Sequence, residues 1–171
     1  NGGLGRLFGI RPREFTGLFG IPFSPLFHRD FSHLLANTLP FLVLGWLILV
    51  QGELEGAGDF YTITATILLI GGIGTWLFGR EAIHLGASGL IFGYIGFLLI
   101  SGYDGPTLLT VGFAAIVFLM YGNQHWSMLP SSHESTVSWE GHLFGFAGGV
   151  VAGTYPDFLL MVSENLTRLV Q

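Results

Sequence analysis

The sequence predicts an all-α polytopic membrane protein with five transmembrane helices, and two observations lead to that fold class. Half of the 171 residues are apolar and only 10% are charged, whereas a soluble domain carries roughly 25% charged residues. The apolar residues are gathered into five runs, within which glycine, present 27 times, recurs at helical spacing. A chain of this kind is expected to be integral to a membrane and in contact with its lipids.

Composition also excludes several classes of protein. The chain has no lysine, and its six arginines form no basic cluster, so nucleic acid is not an expected partner. The lack of cysteine excludes disulfides, thiolate catalysis and sulfur-ligated metals. We expect neither a metal nor another cofactor. The chain opens at Asn1 without a basic segment and a cleavage site, so no signal peptide is expected.

The chain is expected to form one domain with two flanking segments. Residues 1–32 mix arginines with prolines and phenylalanines, which predicts an N-terminal interfacial loop segment that partly enters lipid. Residues 33–162 are the predicted transmembrane core, and residues 163–171 are a C-terminal tail. The apolar runs of the core cover residues 34–50, 60–78, 85–100, 107–121 and 142–162.

Several of these runs are short for a membrane span. About 17 residues of helix reach only about 26 Å across a hydrocarbon core of about 30 Å. Helices that end below the membrane surface would admit water from one side. The connection 122–139 mixes polar and apolar residues, which is typical of a mobile lid at the interface.

Glycine spacing predicts how two of the runs pack. A ladder with one glycine every four residues runs along the last run, and three glycines share a face of the third run. Such ladders let helix backbones approach closely in lipid. If the two faces meet, the starts of the two runs come together. The ladder is Gly141, Gly145, Gly149 and Gly153, and the opposing face is Gly89, Gly93 and Gly96.

Four polar side chains lie at the starts of alternate runs. His33 and Asn37 open the first run, Ser88 opens the third and His142 opens the fifth. Consecutive spans reverse direction, so these three starts should lie on one side of the membrane. Polar groups inside a membrane are costly to bury and commonly functional. The chain topology therefore predicts a polar site at one depth.

These groups suit acyl transfer. Ser88 is the predicted nucleophile and His142 the base that takes its proton and returns it to the leaving amine. No carboxylate lies inside the first four runs, so we expect a Ser-His dyad whose imidazole is oriented by packing. Phe92, one turn beyond Ser88, is a candidate for stacking on the ring. The oxyanion would be bound by Asn37, His33 and the Ser88 backbone N–H.

Each of these residues also has a plainer interpretation. A membrane serine commonly bonds to the carbonyl four residues before it, as Ser88 could. His33 could extend to the interface, Asn37 could join two helices, and Phe92 could fill the core. A titratable ring such as His142 inside a glycine-packed helix has fewer such reasons to be there. Agreement of the polar groups at one depth favours the catalytic interpretation.

At this point the sequence resembles the rhomboid family of intramembrane serine proteases. The resemblance is carried, in order, by His33-Leu-Leu-Ala-Asn37, by Gly86-Ala-Ser88-Gly89, and by Gly141-His142 with the ladder that follows. His28 also matches a histidine common in that family. The resemblance implies a rhomboid-like helical bundle that cleaves transmembrane proteins near the lipid–water boundary. It implies Ser88 as nucleophile, His142 as base, and His33 and Asn37 in the oxyanion hole.

The resemblance also has departures. The family's first transmembrane helix has no counterpart here, so the chain is expected to be a core that begins in the long first loop. Phe92 stands where bacterial members often carry tyrosine. The resemblance implies a multi-pass protein, expected in the plasma membrane, with an extracytoplasmic site and a gating helix at residues 107–121. Five of the six arginines lie on the catalytic side, which by the positive-inside rule would favour the opposite orientation.

Three other functions fit the sequence less well than proteolysis does. A catalytically silent relative that binds or escorts membrane proteins usually lacks the serine or the histidine, and both are present here. A transporter or channel would carry polar residues along the depth of its helices rather than at one end. A metalloprotease is disfavoured because the sequence has no His-Glu-x-x-His motif.

Overall fold

A computed structural model describes residues 2–55, 60–130 and 137–155, and in these ranges the chain is helical apart from turns, short connections and one isolated bridge. Short 3-10 turns cover Phe15–Phe19, Ser24–Leu26 and Gly122–Met128. The α-helices of the described ranges are α1 (Gly2–Phe8), α2 (Gly20–Phe23), α3 (Phe31–Glu55), α4 (Phe60–Phe78), α5 (Ser88–Asp104), α6 (Leu108–Tyr121) and α7 (Trp139–Thr154).

The segment before α3 is bonded to the end of α4 and to the connection that follows it. The backbone of Ile10 pairs with that of His84 through N···O distances of 3.1 and 3.0 Å. The Trp76 indole donates to the Glu14 carbonyl at 2.8 Å, and the Arg13 guanidinium donates to a carbonyl at the end of α4. Ile10 and Ile21 of this segment are buried, but several of its other apolar side chains face outward, as in an interfacial segment. The most exposed are Leu4, Leu7, Phe15, Phe19 and Leu26.

The helices agree with the apolar runs, while the number of spans stays a prediction. Within the described ranges, three helical segments are long and apolar enough to cross a membrane: Phe31–Leu54, Phe60–Phe78 and Leu108–Met128. Helix α5 has 17 residues, and α7 has 16. The end of the fifth predicted run and the tail 163–171 lie outside the described residues. The division into segment, core and tail also stays a prediction.

Helix α5 is the centre of the bundle. It packs most closely against α7 and also contacts α3, α4 and α6. The side chains of Tyr94 and Leu98 on α5 are completely buried. A Cβ atom on Gly149 would overlap the carbonyl oxygen of Gly93. The predicted contact between the two glycine faces is therefore confirmed, and we call it the α5–α7 seam.

The seam depends on glycine at each closest approach. A Cβ atom on Gly145 would overlap the carbonyl of Gly89, and one on Gly96 would stand 2.5 Å from the carbonyl of Phe146. No side chain fits between backbones at this separation. The two helices are thereby held with their first turns adjacent, which places Ser88 and His142 at the same end of the bundle.

Candidate active site

A cavity of about 290 Å³ opens at the end of the bundle where α3, α5 and α7 begin and α6 ends. The structure brings the four polar residues predicted from chain topology to its wall. Its polar and aromatic lining residues are Arg29, His33, Asn37, Ser88, Phe92, Tyr121, Gln124, Ser138 and His142.

Ser88 is the first residue of α5, and the turn before it holds it at the cavity. Gly86 has φ = +109°, a backbone conformation that side chains disfavour. A Cβ atom there would also lie 2.6 Å from Cε1 of the His33 ring. The Gly86 N–H donates to the Ser24 carbonyl at 2.9 Å. Glycine is therefore required at this position for two reasons, conformation and space.

Within the described ranges, the Ser88 hydroxyl forms no hydrogen bond that would stabilise the fold. Other helical hydroxyls in the bundle, such as those of Thr75 and Ser101, donate to the carbonyl four residues before them at 2.7 and 2.8 Å. Ser88 forms no such bond within the described ranges, so the plainer interpretation of this serine does not hold there. Ser88 and His142 are not hydrogen-bonded to each other in this structure, and the Ser-His dyad stays a prediction.

His142 is held between a ring and a carbonyl. Its imidazole stacks on Phe92 with a centroid distance of 4.2 Å and an interplanar angle of 17°, as expected from the spacing of Phe92 and Ser88. On the other side, His142 Nδ1 lies 3.1 Å from the Ser127 carbonyl oxygen. The carbonyl can only accept, and the Ser127 hydroxyl, 3.2 Å from Nδ1, donates to the Gln124 carbonyl at 2.7 Å. Nδ1 therefore carries the proton and Nε2 keeps its lone pair. Nε2 is the nitrogen that a general base needs.

Ser127 is a site residue that sequence reasoning missed. It lies in the Gly122–Met128 turn, within the connection interpreted only as a lid. Its carbonyl takes the place at Nδ1 that an aspartate takes in a Ser-His-Asp triad. Every residue type has a backbone carbonyl, so no sequence signal could have identified it. The part of this connection at residues 131–136 lies outside the described residues.

His33 and Asn37 offer unpartnered groups at the same wall. The Nδ2 atom of Asn37 and the Nδ1 atom of His33 are buried and have no hydrogen-bond partner within the described part of the chain. Asn37 is 7% exposed. A buried amide that joined two helices would be bonded to its partner, because an unpaired buried donor is costly. These two side chains lie beside the Gly86 turn, next to Ser88.

His28 supports the turn from the N-terminal segment. Its Nε2 accepts from the Ala87 N–H at 3.4 Å, and its ring meets the His33 ring edge to face at 5.1 Å. Burial, and to a smaller degree the neighbouring His33, lowers the pKa of His28. The neutral form is the one that can accept from Ala87, so the pKa shift and the hydrogen bond agree.

The described residues hold no group of three or more histidine, aspartate or glutamate side chains placed to bind a metal. Among the residues that the structure describes, the cavity contains a hydroxyl with no hydrogen bond, an imidazole whose Nε2 has no partner, and two side-chain nitrogens without a partner. This set can carry out acyl transfer to a serine.

Comparison with known proteins gives the family. The sequence profile of the Rhomboid domain matches residues 14–156. The chain belongs to the rhomboid family. With its apolar helices, this rhomboid domain makes it an integral membrane protein.

Its relatives extend the comparison to whole chains. An uncharacterized protein of Mycobacterium tuberculosis is 40% identical over 167 residues, which cover 94% of this chain and 66% of that protein. An uncharacterized protein of Mycobacterium leprae is 38% identical over 170 residues, covering 94% of this chain and 63% of the relative. A Bacillus subtilis protein that is named as a putative rhomboid protease is 28% identical over 125 residues. These residues cover 72% of this chain and 60% of that protein.

The rhomboid chain described here thus spans just under two thirds of the length of its mycobacterial relatives. No solved structure matches it.

Proposed function

We propose that this rhomboid is an intramembrane serine endopeptidase that cleaves transmembrane proteins near the membrane boundary through Ser88 and His142. The observation that carries the proposal is the shared cavity. It holds a serine hydroxyl that has no hydrogen-bond partner in the described part of the chain, and an imidazole whose Nδ1 proton is bonded to a carbonyl, which leaves Nε2 with its lone pair. A bundle stabilised only by packing has no need of this pair at one end of a glycine seam.

The reaction follows from these groups. Nε2 of His142 takes the Ser88 proton as the hydroxyl oxygen attacks the scissile carbonyl carbon, and a tetrahedral oxyanion forms. Collapse of this intermediate breaks the C–N bond, and His142 returns the proton to the leaving amine. Water then attacks the acyl-serine ester with His142 again as base, and the peptide acid and Ser88 are released.

The oxyanion would be bound by groups that have no hydrogen-bond partner among the described residues. Nδ2 of Asn37 and the His33 ring flank the Gly86 turn, and the Ser88 backbone N–H points out of the first turn of α5. Donors already oriented toward the developing charge need no reorganisation during the reaction. Replacing Asn37 by alanine should lower kcat by about 10²–10³-fold, as the loss of one such donor typically does.

Access to the site depends on how the bundle crosses the membrane. We propose that α5 and α7 complete a five-span bundle whose site lies below the extracytoplasmic surface of the plasma membrane. We further propose that α6 is the gating helix and that the connection 122–139 caps the cavity. Maleimide accessibility of a cysteine introduced at Glu81, whose side chain is 93% exposed, would report the orientation, because the chain has no cysteine of its own.

The test uses the whole chain in detergent and in proteoliposomes. A fluorophosphonate should label Ser88, and Ser88→Ala or His142→Ala should abolish both labelling and cleavage of a model transmembrane substrate. Ser101→Ala is the matched control, since Ser101 lies on the same helix and is bonded to the Phe97 carbonyl. Cleavage that persists in both dyad variants would contradict the proposal. Substrate binding without labelling or cleavage would instead support a silent escort protein.

A further inference from the structure

A second polar cluster lies behind the dyad and takes no part in the reaction above. It joins the connection after α4, which leads to Ser88, to the start of α7, which carries His142. The members are Arg80, His84, Ser138 and Glu140. His84 is 5% exposed and Glu140 is fully buried. Buried polar groups in a membrane bundle need a reason to be there.

The first set of contacts in this cluster is a relay of three hydrogen bonds. The Gly141 N–H donates to Ser138 Oγ at 3.1 Å, so Ser138 is the N-cap of α7. Ser138 Oγ lies 2.6 Å from His84 Nδ1, and His84 Nε2 lies 3.2 Å from the Arg80 carbonyl. Because that carbonyl only accepts, Nε2 carries the His84 proton and Nδ1 accepts from the Ser138 hydroxyl.

The second set of contacts is made by the carboxylate of Glu140. Its Oε1 accepts from the Arg80 backbone N–H at 3.1 Å and lies 3.7 Å from the Arg80 Nε. The Arg80 guanidinium also donates to the Val137 carbonyl at 2.5 Å. Both sets of contacts therefore connect the same two segments, the connection after α4 and the start of α7. A buried ion pair adds little net stability compared with apolar packing, so a positional role explains it better.

We propose that His84, Ser138 and Glu140 form a tether that sets the separation of Ser88 from His142. His84 precedes Ser88 by four residues, and Ser138 precedes His142 by four. The tether rests on the proposed function and acts through the dyad, so its members are positioning residues. Burial lowers the pKa of His84, which favours the neutral ring that the relay requires.

The tether should affect the chemical step rather than substrate binding. Small displacements of a nucleophile from its base can cost as much as about 10²-fold in rate. Ser138→Gly removes the hydroxyl that bonds to His84, yet glycine is tolerated at an N-cap nearly as well as serine. Ser138→Thr keeps the hydroxyl. We expect kcat to fall at least about 10-fold in Ser138→Gly with KM unchanged, and to stay within about 3-fold in Ser138→Thr.

The first experiment measures kcat and KM for a transmembrane substrate, with kcat expressed per site titrated to completion by the fluorophosphonate. This normalisation removes any fraction of misfolded protein. A Ser138→Gly enzyme with the wild-type kcat per site would overturn the tether, as would a loss confined to KM. A wild-type chain that neither labels nor cleaves would overturn the proposed function instead.

The second experiment does not depend on activity. Spin labels at cysteines introduced at the exposed positions Ala82 and Leu143 report the distance between the two tethered segments. The distance distribution should broaden or shift in Ser138→Gly and match the otherwise unchanged chain in Ser138→Thr. A distribution unaffected by Ser138→Gly would overturn the tether, even if the protein proved not to be a protease.

Discussion

The two sides of the cavity are built in opposite ways. On one side, the α5–α7 seam brings backbone against backbone, and Tyr94 and Leu98 are completely buried. On the other, α6 and the turn that follows it present most of their surface outward. Leu108 is 94% exposed and Leu119 82%, while Val117 is fully buried. In the most apolar 18-residue stretch of Leu108–Met128, 11% of the residues are buried inside the bundle, against 39% in that of α4.

This contrast divides the candidate site between a closely packed side and a loosely packed side. Ser88 and His142 both belong to the packed side. The carbonyl that holds Nδ1 of His142 belongs to Ser127, in the turn continuous with α6. The orientation of the base therefore depends on the loosely packed side. Movement of that turn would change the state of the imidazole without disturbing the seam.

The largest effect that distinguishes the two sides should come from a single methyl group. Gly149→Ala puts a Cβ atom into the carbonyl of Gly93, and the backbones cannot part without opening the seam. We expect a loss in the free energy of unfolding near the upper end of the about 1–3 kcal/mol typical of overpacking. Denaturant titration in mixed micelles measures it.

The matched control is Gly112→Ala on α6, where a Cβ atom meets nothing within 4 Å. It should leave stability unchanged or raise it by about 0.5–1 kcal/mol, because alanine is the better helix former. Equal losses in the two variants would show that the seam is no tighter than the rest of the bundle.

A smaller effect is expected at the ring that supports the base. Phe92→Leu removes the stacked partner of His142, whereas Phe92→Tyr keeps it. Aromatic pairs are worth about 0.5–1.5 kcal/mol, so kcat should fall roughly 2- to 13-fold in the leucine variant. Steady-state cleavage of a model substrate measures this fall. A leucine variant as active as the tyrosine variant would mean that the packed side does not orient the imidazole.

The pH dependence of stability gives a further test at the packed side. Burial lowers the pKa of His84 despite the opposing contributions of the Arg80 carbonyl and the Glu140 charge. As pH falls below about 6.5, the unfolded chain binds a proton at His84 before the folded chain does, so the free energy of unfolding falls. The loss ends once pH is below the folded pKa, where both states are protonated.

His84→Gln removes one of several histidines, so it should reduce this pH dependence without abolishing it. Unfolding curves at about pH 7.5 and about pH 5.5 would measure the difference between the variant and the unchanged chain. An identical pH dependence in both proteins would mean that His84 does not stay neutral on folding.

The smallest effect should come from the exposed face of α6. Leu119→Ala removes a side chain that is 82% exposed, so the free energy of unfolding should change by no more than about 0.5 kcal/mol. The same denaturant titration applies. A loss as large as that of Gly149→Ala would remove the difference between the two sides on which this comparison rests.

Local pattern was sufficient for much of the fold. The apolar run 60–78 coincides with α4, and the four-residue glycine spacing correctly indicated the face of α7 that meets α5. Both features are recorded in consecutive residues, because helix periodicity and close packing depend on residue type at fixed intervals. The start of α5 was predicted three residues too early, because residues 85–87 are apolar or small but form the turn that needs Gly86.

The candidate site also has residues that the sequence predicts and contacts that it does not. The alternation of spans was enough to expect His33, Asn37, Ser88 and His142 at one end, and they line one cavity. Hydrogen bonds between two connections could not be predicted from the sequence. His84, for example, is bonded to Ser138, which is 54 residues away in the chain.

By itself, the sequence determined that this is a helical membrane protein with a serine and a histidine at the starts of alternate runs, since composition, periodicity and chain direction are local properties. Only the tertiary structure decided which nitrogen of His142 is free, because that depends on a backbone carbonyl of Ser127 brought beside the ring by the fold. It also decided that the starts of α5 and α7 are joined through His84 and Ser138, because a hydrogen bond needs two groups within about 3 Å, and no spacing along the chain sets that distance.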